Sequence, residues 1–144
     1  MESRPRFTGA TASRRKVVER AEAYVRRHID TKIPVPRLSR IVGLSERGLR
    51  NAFYSVRGVS PKRCMLAYRL QCVRKALCDA WISPITVTDA AVNHGFYELG
   101  RFAATYKAAF GEAPSETLRG AGRTSATEHR NGKKVQRCLH EPAA

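Results

Sequence analysis

The sequence predicts an all-α protein organised as two helix-turn-helix subdomains joined by a long linker helix. Three observations lead there. Apolar residues recur every three or four positions between prolines and glycines, and no run alternates with the period of two that a strand requires. A short amphipathic segment, a glycine and a second amphipathic segment occur in that order twice. Between the copies lies one uninterrupted helical stretch of about twenty residues, enough to span about 30 Å.

Each element follows from its own residues. In 17–29, VVERAEAYVRRHI, the residues Val17, Ala21, Tyr24, Val25 and His28/Ile29 share one stripe, with Glu19, Arg20 and Arg26 outside it. Pro34 and Pro36 break this helix, because each disfavours helix in the residue before it. Pro36 suits the first turn of PRLSRIV, where Leu38, Ile41 and Val42 face inward, and Gly43 stops that helix as a left-handed cap. Ser45 is a good N-cap for the next helix, Leu49 and Phe53 lie one turn apart, and Gly58 closes it. Ser60–Pro61 opens the linker helix, with Met65, Leu66, Leu70, Val73 and Leu77 as its apolar side, and Ile82-Ser83-Pro84 interrupts it. The second copy begins with Thr86 and Asp89 at capping-box spacing, an Asp replacing the preferred Glu or Gln. Val87, Ala90 and Ala91 form its inner face and Gly95 ends it. Leu99 or Phe102, then Tyr106 and Phe110, recur along the following helix, and Pro114 opens a short last one packed down by Leu118. In both copies a pair containing a small residue, Leu38–Ser39 or Ala90–Ala91, stands four residues before the glycine and lets two helices approach. The expected organisation is a basic flexible arm (1–16), a folded region (17–119, divided at 17–59, 60–81 and 82–119) and a basic, aperiodic, disordered tail (120–144).

Composition narrows the function classes. With 42% hydrophobic residues in 144, the chain is too apolar for a disordered polypeptide, and Gly 10 with Pro 7 excludes a collagen-like one. No stretch approaches the roughly 18 apolar residues of a membrane helix, and the N-terminus lacks the apolar centre of a secretory signal. The reading is a soluble, intracellular protein with no membrane partner. Lys+Arg 27 against Asp+Glu 12 give a net charge of +15, which argues for a polyanion, foremost nucleic acid. Residues 1–16 hold five Lys/Arg and one Glu, and 17–118 hold sixteen Lys/Arg and nine Asp/Glu, so the body is basic as well as the ends. Cys64, Cys72, Cys78 and Cys138 form no CxxC pair, and His28, His94, His129 and His140 are scattered. There is no Gly-rich phosphate loop and no nucleophile elbow. No catalytic residue, metal site or cofactor is expected, and the protein is not read as an enzyme.

At these residues the chain resembles the DNA-binding domain of the AraC/XylS family of bacterial transcription regulators, over about residues 17–119. GFYELGRFAATYKAAFGEAPSETLR matches the family signature through Gly95–Phe96, Phe102, Tyr106–Lys107, Phe110–Gly111 and Pro114. Ser45, Arg47, Leu49, Phe53, Gly58, Ser60–Pro61, Arg69–Leu70 and Leu77 match its first half. The resemblance implies about seven helices and recognition helices entering successive major grooves of double-stranded DNA. RNA polymerase is a further partner it brings into view. Most members carry an effector-binding or dimerisation domain upstream, for which sixteen residues are too few. The chain therefore reads either as a stand-alone binder or as part of a longer regulator, with no small-molecule effector site of its own.

Residue roles follow from helix faces. With Leu49 and Phe53 inward, Arg47, Arg50 and Asn51 face the groove; arginine reads guanine O6/N7 and asparagine adenine N6/N7. The family's base-contact positions match these three, and Glu46 is assigned to the solvated face. Arg57, Lys62 and Arg63 are expected phosphate contacts. The second copy departs from the family: Ala103–Ala104 stand where members usually carry Ser-Arg, leaving Leu99, Arg101 and Thr105 toward bases and Lys107 for phosphate. Glu98 occupies an N-cap position where Asp or Ser is usual. Two other classes fit the same charge, a sequence-neutral nucleic-acid-binding protein and a protein-interaction module that has lost sequence reading.

Overall fold

Short helices with prolines at their starts and glycines at their ends cannot bury their apolar faces alone, so they fold by packing on one another. The computed structural model describes residues 7–121, with side chains from Ser13 onward. Among the described residues there are seven α-helices and no strand: α1 Phe7–Arg27, α2 Val35–Val42, α3 Glu46–Arg57, α4 Pro61–Cys78, α5 Val87–Asn93, α6 Leu99–Phe110 and α7 Pro114–Arg119. A single 3-10 turn, Asp79–Trp81, follows α4. Helix α1 starts at Phe7, ten residues earlier than its apolar stripe suggested, so 7–16 of the expected flexible arm are helical. The first described turns there, Ser13–Lys16, are exposed. Exposed helix residues such as these are under no constraint to show an apolar period. Residues 1–6 and the tail from 122, including His129, Cys138 and His140, lie outside the described residues.

The chain divides into two compact units, one with residues up to His28 plus Lys32–Met65, the other with Ile29–Thr31 and residues from Leu66 onward. In the first, α1, α2 and α3 pack together with the first turn of α4 around Val18, Val25, Leu38, Leu49 and Phe53. Three expected core positions move. Val18 rather than Val17 leads the α1 stripe, because Val18, Ala21, Glu22 and Val25 form one arc and Val17 lies behind it. In α2 the buried arc is Leu38, Ser39 and Val42, leaving Ile41 37% exposed. Ser39 can be buried because its hydroxyl donates to the Pro36 carbonyl at 2.8 Å. In α4, Pro61, Cys64 and Met65 face the core while Leu66, one step round the helix, is 38% exposed.

The second unit is built on Leu70, Val73 and Leu77 of α4, Ala90 and Ala91 of α5, and Phe102 and Tyr106 of α6. Its aromatic rings run in series, with centroids 4.9 Å apart for Phe96–Phe102, 5.7 Å for Phe102–Tyr106 and 4.6 Å for Tyr106–Phe110. The Thr117 hydroxyl donates to Glu112 Oε1 at 2.6 Å, so the Tyr106 hydroxyl must donate to Thr117 Oγ1, 2.8 Å away. Arg74 closes the group, 3.3 Å from Glu112 and 4.7 Å above the Phe110 ring. In the same unit Arg69 donates to the Thr31 carbonyl and the Tyr97 hydroxyl donates to the Asp30 carbonyl at 2.9 Å.

The duplication is visible in the backbone hydrogen bonds. Gly43 N–H donates to Arg40 O and Leu44 N–H to Ser39 O; Gly95 N–H donates to Val92 O and Phe96 N–H to Ala91 O. Gly43 and Gly95 adopt φ of 74° and 83°, left-handed conformations that a Cβ would strain. The copies are offset by 52 residues through this turn and by 53 from the recognition helix onward, so the second turn is one residue longer. Leu49 and Phe53 thereby correspond to Phe102 and Tyr106, and Pro61 to Pro114.

Two outcomes follow for stability. Leu77→Ala should cost about 2–5 kcal/mol, because the side chain is fully buried, whereas Ile41→Ala and Leu66→Ala should each cost less than about 1 kcal/mol; urea unfolding distinguishes them. Burial pushes the Tyr106 hydroxyl up to about 12, against the opposing pull of its Thr117 hydrogen bond and of Arg74. Its folded value thus exceeds the unfolded one near 10, so its stabilising contribution is complete below about pH 10 and is lost as pH rises toward 12. Tyr106→Phe should remove that part of the alkaline loss, measured as the change in unfolding free energy between pH 9 and pH 12 relative to the parent chain.

Candidate nucleic-acid interface

The interface is assembled from the faces that core packing leaves outward. Ser45 caps α3, its Oγ accepting from Gly48 N–H at 3.0 Å, and a residue as small as Gly48 suits the close approach of that hydroxyl. With Leu49, Ala52 and Phe53 buried, Arg47, Arg50 and Asn51 are all exposed on the opposite side. Arg50 lies 3.5 Å from Glu46, one turn earlier. At the start of α4, Lys62 and Arg63 are exposed, and Arg63 N–H donates to Ser60 Oγ at 3.3 Å.

Arg57 is a correction. Instead of pointing toward a phosphate, it forms a two-pronged ion pair with Glu22 of α1, Nε to Oε1 at 2.7 Å and Nη2 to Oε2 at 2.8 Å. The side chains are only 12% and 7% exposed. A carboxylate withdrawn from water needs a matched cation, and the arginine fork supplies it. Arg57 therefore serves the packing of α3 on α1. Sequence reading passed over Glu22, although its place four residues after Val18 and three before Val25 puts a carboxylate on the buried stripe.

The second recognition helix is chemically sparser. Glu98 precedes α6 without making a side-chain cap hydrogen bond and lies 3.7 Å from Arg101. Leu99 is 40% exposed, Arg101 and Lys107 are exposed, and the Thr105 hydroxyl donates back to the Arg101 carbonyl at 2.8 Å. With the 53-residue offset, Arg47, Arg50 and Asn51 correspond to Gly100, Ala103 and Ala104. The positions that carry hydrogen-bonding groups on α3 carry none on α6. In α5 the cap is complete on one side only: Thr86 Oγ1 accepts from Asp89 N–H at 3.0 Å, and the Asp89 carboxylate accepts from that same hydroxyl at 2.7 Å. Aspartate is a methylene too short to reach back to the backbone as glutamate does. Among the described residues no three His, Cys, Asp or Glu side chains gather as metal ligands, and no helix is long and apolar enough to cross a membrane.

Two short helices hinged on a left-handed glycine, repeated with a polar face on the second helix, define a tandem helix-turn-helix protein. A family model for the helix-turn-helix domain matches residues 38–120. A crystal structure of a probable AraC family transcriptional regulator from Rhodopseudomonas palustris CGA009 is 40% identical, with a TM-score of 0.65, covering 74% of this chain and 97% of that one. A second solved structure, a transcriptional regulator with an AraC-type DNA-binding domain from Chromobacterium violaceum, shares the fold at 21% identity and a TM-score of 0.70, covering 78% and 97%. The XylDLEGF operon transcriptional activator of Pseudomonas putida is 36% identical over 101 residues, 70% of this chain and 32% of that protein. The probable thc operon regulatory protein of Rhodococcus erythropolis is 38% identical over 103 residues, 72% and 31%. The chain spans about a third of the length of these curated relatives. It belongs to the AraC/XylS family and carries that family's DNA-binding domain.

Arg57→Ala should destabilise the chain by about 3–5 kcal/mol, since it strands the Glu22 carboxylate in the first core. Below its unfolding temperature the variant should keep the parent's salt dependence of DNA binding, whereas Lys62→Ala should reduce the slope of log K against log salt by about one. Thermal unfolding and a salt titration read the two effects separately.

Proposed function

We propose that this chain binds double-stranded DNA with sequence selectivity and regulates transcription, with α3 and α6 each entering a major groove. The observation that carries this reading is the α3 face, where Arg47, Arg50 and Asn51 stand exposed above the buried Leu49 and Phe53. Guanidinium and carboxamide groups are the side chains that match guanine and adenine edges with two hydrogen bonds. The names of the relatives, operon activators and regulators, support the transcriptional role.

Lys62, Arg63 and Lys107 contact phosphates, which set register and orientation without reading sequence. On α6, Arg101 is the one side chain at a base-facing position able to make a bidentate contact; Leu99 offers apolar surface, and Thr105 a hydroxyl already engaged with its own helix. The halves therefore read unequally. The second unit contributes chiefly backbone affinity and shape fit. Regulation brings the DNA-bound chain against RNA polymerase, and DNA binding localises it to the nucleoid.

Selection from random duplexes should yield an operator whose information is concentrated in one half-site. Arg50→Ala should relax one position there by about 1–3 kcal/mol, while Thr105→Ala should leave the base preferences within about 0.5 kcal/mol of the parent. A matrix of variants against single base-pair changes at fixed salt measures both. Preferences confined to the α6 half-site would overturn this assignment.

A further inference from the structure

Both recognition helices open with a glutamate that faces an arginine one turn on. Glu46, the first residue of α3, lies 3.5 Å from Arg50, and Glu98, at the N-cap of α6, lies 3.7 Å from Arg101. The two pairs do not occupy equivalent positions, since the residue matching Glu46 is Leu99 and that matching Arg50 is Ala103. The same chemistry has been built on each helix from different residues. Neither acid is needed as a cap: Ser45 caps α3, and Glu98 makes no cap hydrogen bond. All four side chains are well exposed, so the pairs contribute little to the fold. A carboxylate in a basic, phosphate-facing surface weakens attraction to DNA of any sequence. Each acid also meets the positive end of its helix dipole, but that attraction does not require an arginine facing it one turn on.

Resting on the DNA-reading function above, we propose that Glu46 and Glu98 are positioning residues that hold Arg50 and Arg101 toward base edges and away from phosphates. A free arginine on a flexible stem reaches any nearby phosphate, because the attraction depends on charge and not on sequence. An arginine paired with a carboxylate brings no net charge into the phosphate field. It still has further N–H donors in a fixed plane, which match the O6 and N7 acceptors of guanine. The pair is thus indifferent to phosphate and gains only where a guanine edge is aligned with the guanidinium. General affinity is exchanged for selectivity, and in α6 the exchange acts on the single arginine that faces bases.

The test compares the full chain with Glu46→Ala, Arg50→Ala and the double variant. Each is titrated at fixed salt against the selected duplex, its single base-pair variants and a random duplex, and then over a salt series. In Glu46→Ala the preference at the Arg50 position should fall at least fivefold. Random-duplex binding should tighten, and the salt slope should steepen by about one phosphate as Arg50 swings outward. Combined with Arg50→Ala, the Glu46 substitution should have no further effect on base preference or slope. Glu98→Ala should shift the Arg101 position alone in the same way. The proposal is overturned if Glu46→Ala leaves the base preference intact, or if its effects persist undiminished beside Arg50→Ala, because the carboxylate then acts by itself. If the parent chain shows no base preference at all, the sequence-reading function fails, and this proposal with it.

Discussion

Each recognition helix is oriented by two buried side chains one turn apart, and the rest of the interface depends on that pair. Leu49 and Phe53 on α3, and Phe102 and Tyr106 on α6, are almost wholly withdrawn from water. Burying two such residues on one side of a twelve-residue helix leaves one rotation about the helix axis that does not expose apolar surface. That rotation turns Arg47, Arg50 and Asn51 outward. The left-handed glycine and the small residue before it supply the sharp turn and the close approach this rotation requires.

The two copies share this frame and stabilise it by different chemistry. At the end of α3 stands Arg57, whose guanidinium is held by Glu22; the corresponding position at the end of α6 is Phe110, part of an aromatic series under Arg74. The first solution buries a matched charge pair, which specifies one geometry because any slip leaves a carboxylate unpaired in a dry environment. The second relies on ring packing backed by the Tyr106–Thr117–Glu112 hydrogen-bond chain. Cationic side chains thus split into two populations. Arg57, Arg69 and Arg74 are engaged with groups from other parts of the chain, while Arg47, Lys62, Arg63 and Lys107 remain at the surface together with Arg50, whose partner Glu46 is on its own helix. A net charge of +15 cannot by itself distinguish them.

The helices, their caps and the duplication were legible because each has a local cause. Ser45, Thr86, Pro61 and Pro114 start helices by hydrogen bonding or by fixed φ, and Gly43 and Gly95 end them by permitting a left-handed residue. The outward face of α3 was legible for the same reason, since Leu49 and Phe53 leave a single apolar stripe. These features depend on residues within one turn of each other, and sequence spacing records them directly.

The tertiary structure decided what depends on partners far along the chain. Arg57 and Glu22 are thirty-five positions apart, and only the packing of α3 on α1 converts an apparent surface arginine into a buried counterion. Ile41, expected inward, is left 37% exposed because the neighbouring helices bury the arc of Leu38, Ser39 and Val42, where Ser39 satisfies its hydroxyl on Pro36. The helical extension of α1 to Phe7 was not read from periodicity, and Ser13–Lys16 within it are exposed, so no packing constrains those residues to be apolar. Local propensity set where helices begin and end; desolvation, which acts only when distant residues meet, set which side chains were buried as structure and which stayed at the surface.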